Sequence, residues 1–539
     1  MRGLMMEFPL TLVPILERAG KIFSRVEIVS RQPDRTLARS VYGDMYRRAR
    51  KLARALELAG LRPGDRVATL MWNHTAHLEC YFGIPAVRGV MHTLNFRLHP
   101  DELAYIASHA RDRFLIVDDV LLPVYDSFRA KAPFERVFCV PFSGRALPEG
   151  VESFESLLSE TDTDFDYPQI DENDAASICF TSGTTGKPKG VVYSHRALVL
   201  HSFACCLSDS FAVSNHDTVL PVSFMFHANG WGIPYAAAMM GAKLVFPVPH
   251  LDAESLLALI EKEGVSLATG VPTVWFGVLA ALEKDPQRWK LSRPLRIMCG
   301  GAAVPESLLR GLDRFGIRMT HLWGMTETAP IATLGVMKST LSHLSEDEIY
   351  KQRAKQGMAL PLIELRVMRH QGEAPWDGAT AGELEVRGPW VASGYLDAPG
   401  TEDRWTSDGW FRTGDVAEID PEGYIKLVDR SKDLIKSGGE WISSVDLENA
   451  LMCHPRVREA AVIGVPHPKW QERPLAVVVA KDGTQPTSDD LNAFLAGRFA
   501  KWQLPDAFVF VNEIPRTSVG KFLKIKLREQ YADWKWNES

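Results

Sequence analysis

The sequence contains little cysteine, and its cysteines are scattered. Seven cysteines lie among 539 residues, and none forms a CxxC pair or another spacing typical of a metal site. The fifteen histidines likewise form no HExxH motif. These absences exclude a disulfide-stabilised secreted module and a zinc site, and they indicate reduced thiols in a cytoplasmic protein.

A long uninterrupted apolar run is absent as well. The longest apolar tract, residues 231–248, contains a lysine and two prolines, which is not the composition of a membrane-spanning helix. The apolar stretch at residues 8–15 is interrupted by two prolines, and no small-residue cleavage site follows it. That pattern argues against a signal peptide, so we expect at most peripheral membrane contact.

Neither sign of charge is in strong excess. The formal net charge is −6 at pH 7, with 46% hydrophobic and 24% charged residues, as in an ordinary globular protein. A weakly acidic chain offers no overall attraction to nucleic acid, so no nucleic-acid partner is expected. A chain of this length suggests about three or four domain-sized units.

Short apolar runs alternate with amphipathic, helix-like segments through most of the chain. Such alternation predicts layered α/β subdomains with parallel strands. Ligand-binding loops then belong at the carboxyl ends of those strands. The clearest predicted strands span residues 66–71, 114–117, 176–180, 243–246 and 295–299.

The pattern changes in the later part of the chain, where short apolar runs separated by glycine-rich turns predict antiparallel strands. From Arg430 onward the chain has its own set of predicted strands and helices. We therefore predict an α/β fold with a large N-terminal domain of layered subdomains, residues 1–428. A small α+β C-terminal domain, residues 429–539, is joined to it by a hinge at Asp429.

The sharpest local signal is a loop rich in glycine, hydroxyl groups and lysine, Thr181-Ser-Gly-Thr-Thr-Gly-Lys-Pro-Lys-Gly190. It follows the predicted strand at 176–180 and precedes a predicted helix through Ala197 and Leu200. Backbone N–H groups, hydroxyls and ammonium groups on one turn can bind phosphates. The loop is not a Walker A motif, because Lys187 is followed by proline instead of serine or threonine.

This loop resembles the hallmark of the adenylate-forming superfamily, which includes acyl-CoA synthetases, luciferases and the adenylation domains of peptide synthetases. The resemblance continues, in the same order of motifs, over nearly the whole chain. The other similar motifs are Trp323-Gly-Met-Thr-Glu-Thr328, Tyr395 of a glycine-tyrosine pair, Trp410-Phe-Arg-Thr-Gly-Asp415, Asp429-Arg-Ser-Lys-Asp-Leu-Ile-Lys436 and Pro515-Arg-Thr-Ser-Val-Gly-Lys521. Bacterial medium- and long-chain fatty acyl-CoA synthetases look most similar, through Met225-Phe-His-Ala-Asn-Gly-Trp231 and Ser437-Gly-Gly-Glu-Trp-Ile-Ser443.

The resemblance implies an AMP-forming acyl-CoA synthetase, which is an acid–thiol ligase. ATP would adenylate a medium- to long-chain fatty acid with the help of Mg²⁺, and coenzyme A would then receive the acyl group as a thioester. Catalysis of such chemistry consists mostly of positioning and charge neutralisation. A homodimer is also implied, because similar fatty-acid enzymes associate through their N-terminal segments.

The matching motif positions imply the residues of the nucleotide site. Lys521 would contact the carboxylate and the α-phosphate as a catalytic residue, and Glu327 would bind Mg²⁺ together with Thr184. Asp415 and Arg430 would hold the ribose. The other positions implied to contact ATP or AMP are Thr181, Ser182, Gly183, Thr184, Thr185, Gly186, Lys187, Gly301, Ala302, Gly324, Met325, Thr326 and Trp323, whose ring would stack on adenine.

Small residues imply room for an acyl chain beside the nucleotide. Gly300 and Gly301 allow the backbone to approach a flat ligand closely. Gly324 stands where acetyl-specific relatives have a tryptophan, so we expect an open pocket floor. No acidic residue in the matched pocket segments could receive an amino group, which favours an apolar carboxylate.

His227 and Trp231 lie four residues apart, so a helix would place them on one face. The resemblance implies that Trp231 gates a fatty-acid tunnel. It also implies that His227 is a catalytic residue beside the substrate carboxylate and the path of the thiol.

The resemblance further implies a C-terminal domain that rotates between two half-reactions. Lys521 would face the cleft during adenylation, and Asp429 would absorb the change in backbone conformation. A second face of the domain would then meet coenzyme A. The residues implied for that face are Lys436, Gly438, Gly439, Glu440 and Trp441.

Four alternatives stay open. A related ligase could act on another medium-sized carboxylate, such as methylmercaptopropionate or an aryl acid, because acyl specificity depends on pocket shape. A non-catalytic ATP-binding regulator is disfavoured by the presence of Lys521, Glu327 and Asp415. A luciferase-like oxygenase would form the same adenylate, and a peptide-synthetase adenylation domain would require a carrier domain.

Overall fold

The computed structural model of the chain describes residues 1–132, 134–161, 165–181, 187–430, 432–437, 440–517 and 521–536. Within these ranges the strands, numbered in chain order, are β1 (Glu27–Arg31), β2 (Leu37–Val41), β3 (Arg66–Leu70), β4 (Val90–Thr93), β5 (Asp112–Asp118), β6 (Arg136–Val140), β7 (Glu152–Ser153), β8 (Ala175–Phe180), β9 (Gly190–Ser194), β10 (Thr218–Pro221), β11 (Lys243–Phe246), β12 (Leu267–Gly270), β13 (Leu295–Cys299), β14 (Ile317–Gly324), β15 (Ile331–Leu334), β16 (Met358–Ala359), β17 (Glu364–Arg369), β18 (Gly372–Glu373), β19 (Gly382–Arg387), β20 (Phe411–Ile419), β21 (Ile425–Arg430), β22 (Ile435–Ser437), β23 (Glu440–Ile442), β24 (Val457–His467), β25 (Gln471–Ala480) and β26 (Ala507–Phe510).

The α-helices of the same ranges are α1 (Val13–Ile22), α2 (Tyr42–Leu58), α3 (Thr75–Ala86), α4 (Pro100–Ala110), α5 (Leu122–Phe128), α6 (Phe154–Ser159), α7 (His195–Cys206), α8 (Ile233–Met240), α9 (Ala253–Glu263), α10 (Pro272–Lys284), α11 (Glu306–Asp313), α12 (Glu346–Ala354), α13 (Ser444–Met452), α14 (Ser488–Ala496) and α15 (Lys524–Gln530). None of these helices is both long and apolar enough to cross a membrane.

Two mainly parallel sheets form the centre of the N-terminal domain. One has the strand order β16-β15-β14-β13-β12-β10-β11-β1-β2, and the other has the order β7-β6-β5-β3-β4-β8-β9. Antiparallel pairs occur only toward the edges, at β1–β2, β14–β15–β16 and β8–β9. Helices provide the crossovers that neighbouring parallel strands require. Aliphatic and aromatic side chains fill the space between the sheets and the helices. The predicted α/β layering is confirmed.

The smaller sheets follow in sequence. β18-β17-β19-β20-β21 form an antiparallel sheet, and the C-terminal domain contains β23-β22-β25-β24 with β26 beside β25. Helices α13 to α15 pack on this last sheet around their own apolar core. The predicted combination of a large layered domain and a small α+β domain is therefore confirmed. Strand β21 continues to Arg430, so it extends two residues past the boundary predicted before Asp429.

Some local predictions match closely, including the helix through Ala197 and Leu200, which is α7. The strands predicted at 243–246 and 295–299 coincide with β11 and β13, because each is a short apolar run bounded by turn residues. The phosphate-binding loop, in contrast, is not followed directly by a helix. It connects β8 to β9 as a hairpin, with Phe180 paired to Gly190, and α7 begins only after β9.

Candidate active site

A cavity of about 440 Å³ opens at the carboxyl ends of several parallel strands. Thr181 follows β8, Gly301 lies just after β13, and Gly324 ends β14, and all three line the cavity. This edge is where parallel α/β sheets generally bind ligands. A neighbouring cavity of about 240 Å³ shares Gly301, Gly324 and Lys521 with the first.

Lys521 reaches this cavity from the C-terminal domain. Its Cε lies 3.5 Å from the position that a Cβ on Gly301 would occupy. Thr517 holds the backbone of Lys521, since its N–H donates to Lys521 O at 2.7 Å and its Oγ1 accepts from Lys521 N at 3.1 Å. Burial, with the nearby charge of Arg430, lowers the pKa of Lys521 to about 8. The surroundings of this ammonium group therefore favour the arrival of an anion.

Asp415 is the buried carboxylate of the site. It lies on β20 and is 3% exposed. Trp323 Nε1 donates to Asp415 Oδ2 at 2.9 Å, and Arg430 Nε lies 3.0 Å from Oδ1. The structure thus brings together these three predicted nucleotide residues, all of which line the second cavity. A carboxylate fixed in this way retains lone pairs that can accept sugar hydroxyls.

Glu327 follows β14 in the 3-10 turn Thr326–Thr328 and is 5% exposed. Tyr395 OH donates to Glu327 Oε1 at 2.5 Å, and Tyr193 OH donates to Thr326 O at 2.6 Å. Burial and the charge of Glu327 raise the pKa of Tyr395, so its hydroxyl stays protonated as a donor. The carboxylate lines the first cavity and offers the hard oxygen that Mg²⁺ prefers.

The two ends of the phosphate-binding loop are hydrogen-bonded to each other. Thr181 N donates to Lys189 O at 2.9 Å, and Lys189 N donates to Thr181 Oγ1 at 3.1 Å. Lys187, predicted to bind ATP, is exposed and lies with Nζ 5.2 Å from the ring centre of Tyr105, whereas Lys189 lines the cavity. The predicted residues Ser182, Gly183, Thr184, Thr185 and Gly186 lie outside the described residues.

Of the small residues after β13, Gly301 and Ala302 line a cavity, whereas Gly300 lines neither of the two. A Cβ on Gly300 would be 2.3 Å from Leu322 Cδ1, so the packing requires glycine there. Gly301 has a φ of +84° and lines both cavities. Ala302 lines the second cavity, and its carbonyl oxygen is 3.3 Å from His321 Nε2.

Glycine is required at position 324 for a reason other than the expected open pocket floor. A Cβ built on Gly324 would lie 1.8 Å from Pro330 O, and Met325 N already donates to that same oxygen at 2.9 Å. The missing side chain would therefore point at backbone, and an open pocket floor does not follow from this glycine. The apolar part of the cavity is instead lined by Trp231, Leu322, Pro330 and Ile331, and Met325 also lines it.

His227 and Trp231 are not on one helix, so the argument that their spacing gives them a common helix face does not apply. Residues Ala228–Gly232 form a 3-10 turn in which Asn229, Gly230 and Trp231 have φ values of 35°, 63° and 62°. His227 and Trp231 nevertheless line the same cavity. Burial, with the charge of Lys521, lowers the pKa of His227 to about 3, so the imidazole is neutral at physiological pH.

Three of the residues predicted to meet coenzyme A, Lys436, Glu440 and Trp441, lie in a hairpin of the C-terminal domain. In the β22–β23 hairpin, Lys436 pairs with Trp441, whose side chain is 51% exposed. Lys436 Nζ lies 5.0 Å from the ring centre of Trp441, and Glu440 is exposed. None of these three described residues lines either cavity that contains Lys521. Gly438 and Gly439 lie outside the described residues.

Asp429, the predicted hinge, is connected to both domains. Its backbone pairs with Val416 of β20. Its carboxylate accepts hydrogen bonds from the N–H and the hydroxyl of Ser444, which begins α13. Lys524 Nζ donates to the same hydroxyl at 2.6 Å, and burial raises the pKa of Asp429.

Three cations that line the first cavity were missed by the sequence reasoning: Lys189, Arg404 and Lys432. Lys189 and Lys432 belong to recognised motifs, so their motif membership was an available signal. Arg404 lies in a polar turn without any informative spacing, and no sequence signal pointed to it.

Comparisons with known proteins agree with this arrangement. The chain matches the family model described as AMP-binding enzyme over residues 26–396, and the model described as AMP-binding enzyme C-terminal domain over residues 446–521. A long-chain-fatty-acid–CoA ligase of Thermus thermophilus is 50% identical over 533 residues, covering 98% of this chain and 97% of the relative. A 3-methylmercaptopropionyl-CoA ligase of Ruegeria lacuscaerulensis is 45% identical over 539 residues, covering 99% of each.

Solved structures show the same architecture. The crystal structure of an anthranilate CoA ligase in complex with anthranoyl-AMP is similar with a TM-score of 0.86 at 25% identity, covering 97% of this chain and 98% of that chain. The motif residues, the two-domain fold and the full-length matches lead to one assignment. The chain belongs to the family of AMP-binding enzymes, within the adenylate-forming superfamily that its motifs resemble.

Proposed function

We propose that this protein is an AMP-forming acyl-CoA synthetase that activates medium- to long-chain fatty acids. The observation that carries the proposal is the position of Lys521. This cation of the C-terminal domain lies in a cavity that Glu327 and His227 also line, beside the ion pair of Asp415 and Arg430. One cleft thus offers a cation for a carboxylate and a phosphate, an acceptor for ribose and a carboxylate for a metal.

In the first half-reaction, the carboxylate of the fatty acid attacks the α-phosphorus of ATP. The bond from phosphorus to the bridging oxygen breaks, and its electron pair leaves with pyrophosphate. Lys521 neutralises the charge that develops on the phosphoryl oxygens. Asp415 and Arg430 hold the ribose, so that the attacking and leaving oxygens stay in line.

The proposal includes Mg²⁺, and the carboxylate oxygens available in the cavity suit this ion. Among the described residues no group of three or more His, Cys, Asp or Glu side chains could hold a metal ion. Mg²⁺ is usually bound by one or two carboxylates together with substrate phosphates, which is what Glu327 offers in a cavity of this kind. The ion, when bound, supplies positive charge to the phosphates.

In the second half-reaction, the thiolate of coenzyme A attacks the acyl carbon, and AMP leaves. Residues 429–539 rotate about Asp429 relative to residues 1–428, so the β22–β23 hairpin replaces Lys521 at the cleft. The exposed position of Trp441, away from both cavities, supports two alternating faces. Neutral His227 remains beside the reacting carbonyl as a hydrogen-bonding group.

The acyl group is proposed from the lining of the cavity. Trp231, Leu322, Pro330 and Ile331 provide an apolar wall next to the catalytic groups, which suits a hydrocarbon chain. A second candidate is a short sulfur-containing acid, because the 3-methylmercaptopropionyl-CoA ligase is nearly as similar to this chain as the long-chain fatty acid ligase is.

A cytoplasmic homodimer is also part of the proposal. All seven cysteines are unpaired, as in a reducing compartment. The N-terminal segment exposes five large apolar side chains, which suits contact with a second copy of the chain. These side chains are Met1, Leu4, Met5, Met6 and Phe8.

The reaction is tested by mixing the protein with Mg-ATP, coenzyme A and octanoate. We expect AMP, pyrophosphate and octanoyl-CoA, whereas ADP and phosphate would contradict the assignment. A panel from acetate to palmitate, with methylmercaptopropionate and benzoate added, then defines the acid. Medium or longer fatty acids should exceed acetate in kcat/KM, and a preference for methylmercaptopropionate would favour the second candidate.

A further inference from the structure

The proposed cleft carries more positive than negative side chains. The cations that line the first cavity are Lys189, Arg404, Arg430, Lys432 and Lys521. Within the described part of the chain, the carboxylates lining the same cavity are Glu327 and Asp403. A cavity with surplus cations attracts a polyanion, and a triphosphate is the polyanion of the proposed reaction.

The contacts of Arg404 leave one of its donors without a partner. Arg430 is paired with Asp415 at 3.0 Å, and Lys189 Nζ lies 5.6 Å from the ring centre of Tyr395. Arg404 makes no ion pair with any described residue, and its Nε is buried without a hydrogen-bond partner. A buried donor without a partner is unfavourable, which indicates that this guanidinium is completed by a group from outside the chain.

The guanidinium of Arg404 is nevertheless held in one place. Arg404 ends the 3-10 turn Glu402–Arg404, and its Cζ lies 5.2 Å from the ring centre of Phe411. Gly414 has a φ of +73°, and a Cβ there would lie 3.7 and 3.8 Å from the two terminal nitrogens. These are ordinary van der Waals distances, so the terminal nitrogens lie near the backbone at Gly414. A planar cation fixed in this way is suited to bidentate phosphate binding.

Arg404 shares the cavity with groups that are proposed to bind the metal and the phosphates. Arg404 lines the same cavity as Tyr395, whose hydroxyl donates to Glu327 at 2.5 Å. Lys189, at the end of the phosphate-binding loop, lies over the same tyrosine ring. Arg404 is therefore on the side of the cavity where the metal carboxylate and the phosphate-binding loop meet.

We propose that Arg404 binds the β- and γ-phosphates of ATP and stabilises pyrophosphate as it leaves. The proposal rests on the proposed function, because it assigns a residue to the first half-reaction. When the bond from the α-phosphorus to the bridging oxygen breaks, the electron pair passes to pyrophosphate, and two N–H···O contacts from Arg404 neutralise the added charge. Thioester formation involves no pyrophosphate, so Arg404 does not act in it.

The test compares the wild-type protein with Arg404→Gln and Arg404→Lys. The reverse of the first half-reaction is measured with purified octanoyl-adenylate and inorganic pyrophosphate, and ATP formation is followed. We expect Arg404→Gln to raise KM for pyrophosphate about 10- to 100-fold. Arg404→Lys should recover part of this loss, because it keeps the charge but not the planar fork. Thioester formation from octanoyl-adenylate and coenzyme A should keep the wild-type rate in both variants.

Arg412→Gln is the matched control. Arg412 Nη1 donates to Asp403 O at 3.2 Å, so it supports the same turn without lining the cavity. This variant should keep the wild-type KM for pyrophosphate. The proposal is overturned if Arg404→Gln keeps that KM, if both of its half-reactions weaken equally, or if Arg412→Gln gives the same loss. Formation of AMP and octanoyl-CoA by the wild-type protein tests the proposed function separately.

Discussion

Lys521→Ala should remove most acyl-adenylate formation and leave thioester formation nearly intact. Burial and the charge of Arg430 lower the pKa of Lys521 from 10.5 to about 8, because Asp415 and Glu327 compensate this cation only in part. A decrease of this size corresponds to about 3 kcal/mol, and negative charge on the α-phosphate offsets that cost. Loss of one such donor lowers rates by about 10²–10³, and we expect this loss in adenylation.

The two half-reactions are measured separately to test this prediction. Adenylation is followed by octanoate-dependent exchange between ATP and pyrophosphate without coenzyme A, and thioester formation by a single turnover of octanoyl-adenylate with coenzyme A. Lys521→Met serves as the control, since it keeps much of the side-chain length without the charge and should lose adenylation to the same extent. Because burying a cation is unfavourable, neither variant should greatly lower the free energy of unfolding. Equal slowing of both half-reactions, or normal adenylation by Lys521→Met, would refute the reasoning.

Three further predictions concern the same cleft. The adenylation kcat/KM for ATP should fall as the pH rises through about 8, because the free enzyme then loses the Lys521 proton; Lys521→Arg, which stays charged, should remove that decline in a pH–rate profile. Trp231→Ala should change the ratio of kcat/KM for octanoate and palmitate more than KM for ATP, and an unchanged ratio would make Trp231 a packing residue. Asp429→Pro should slow thioester formation more than adenylation, because proline fixes φ. Asp429→Asn, which keeps the backbone free, should have the smaller effect, and the reverse order in half-reaction assays would contradict the hinge.

Much of the layered fold could be predicted from the sequence. Strands such as β11 and β13 are compact apolar runs with turn residues at both ends, so their bounds are determined locally. The order of strands within the sheets and the β8–β9 hairpin depend on contacts between distant segments, and local periodicity carries no information about them. For this reason β9, which lies between the phosphate-binding loop and the helix correctly predicted through Ala197 and Leu200, was not predicted.

In the site, too, some features follow from the local sequence, and others depend on contacts between distant segments. Asp415, Glu327 and Lys521 lie in motifs, and the structure brings them to one cleft. The turn at Ala228–Gly232 could not be told from a helix, because the spacing of His227 and Trp231 fits both. Gly324 was explained by pocket size, whereas the actual constraint comes from the backbone of Pro330, whose position depends on a turn that the sequence pattern does not define.

Asp429 contacts both domains, and this affects how domains can be exchanged between members of this family. A crossover at residue 428 would divide β21 between two parents, and the ladder of β20 with β21 would then join unrelated sequences. A crossover after Arg430 keeps that ladder from one parent. It also separates the Asp429 carboxylate from the hydroxyl of Ser444, its hydrogen-bonding partner. Chimeric synthetases should therefore inherit positions 429 and 444 as a pair, whichever crossover is chosen.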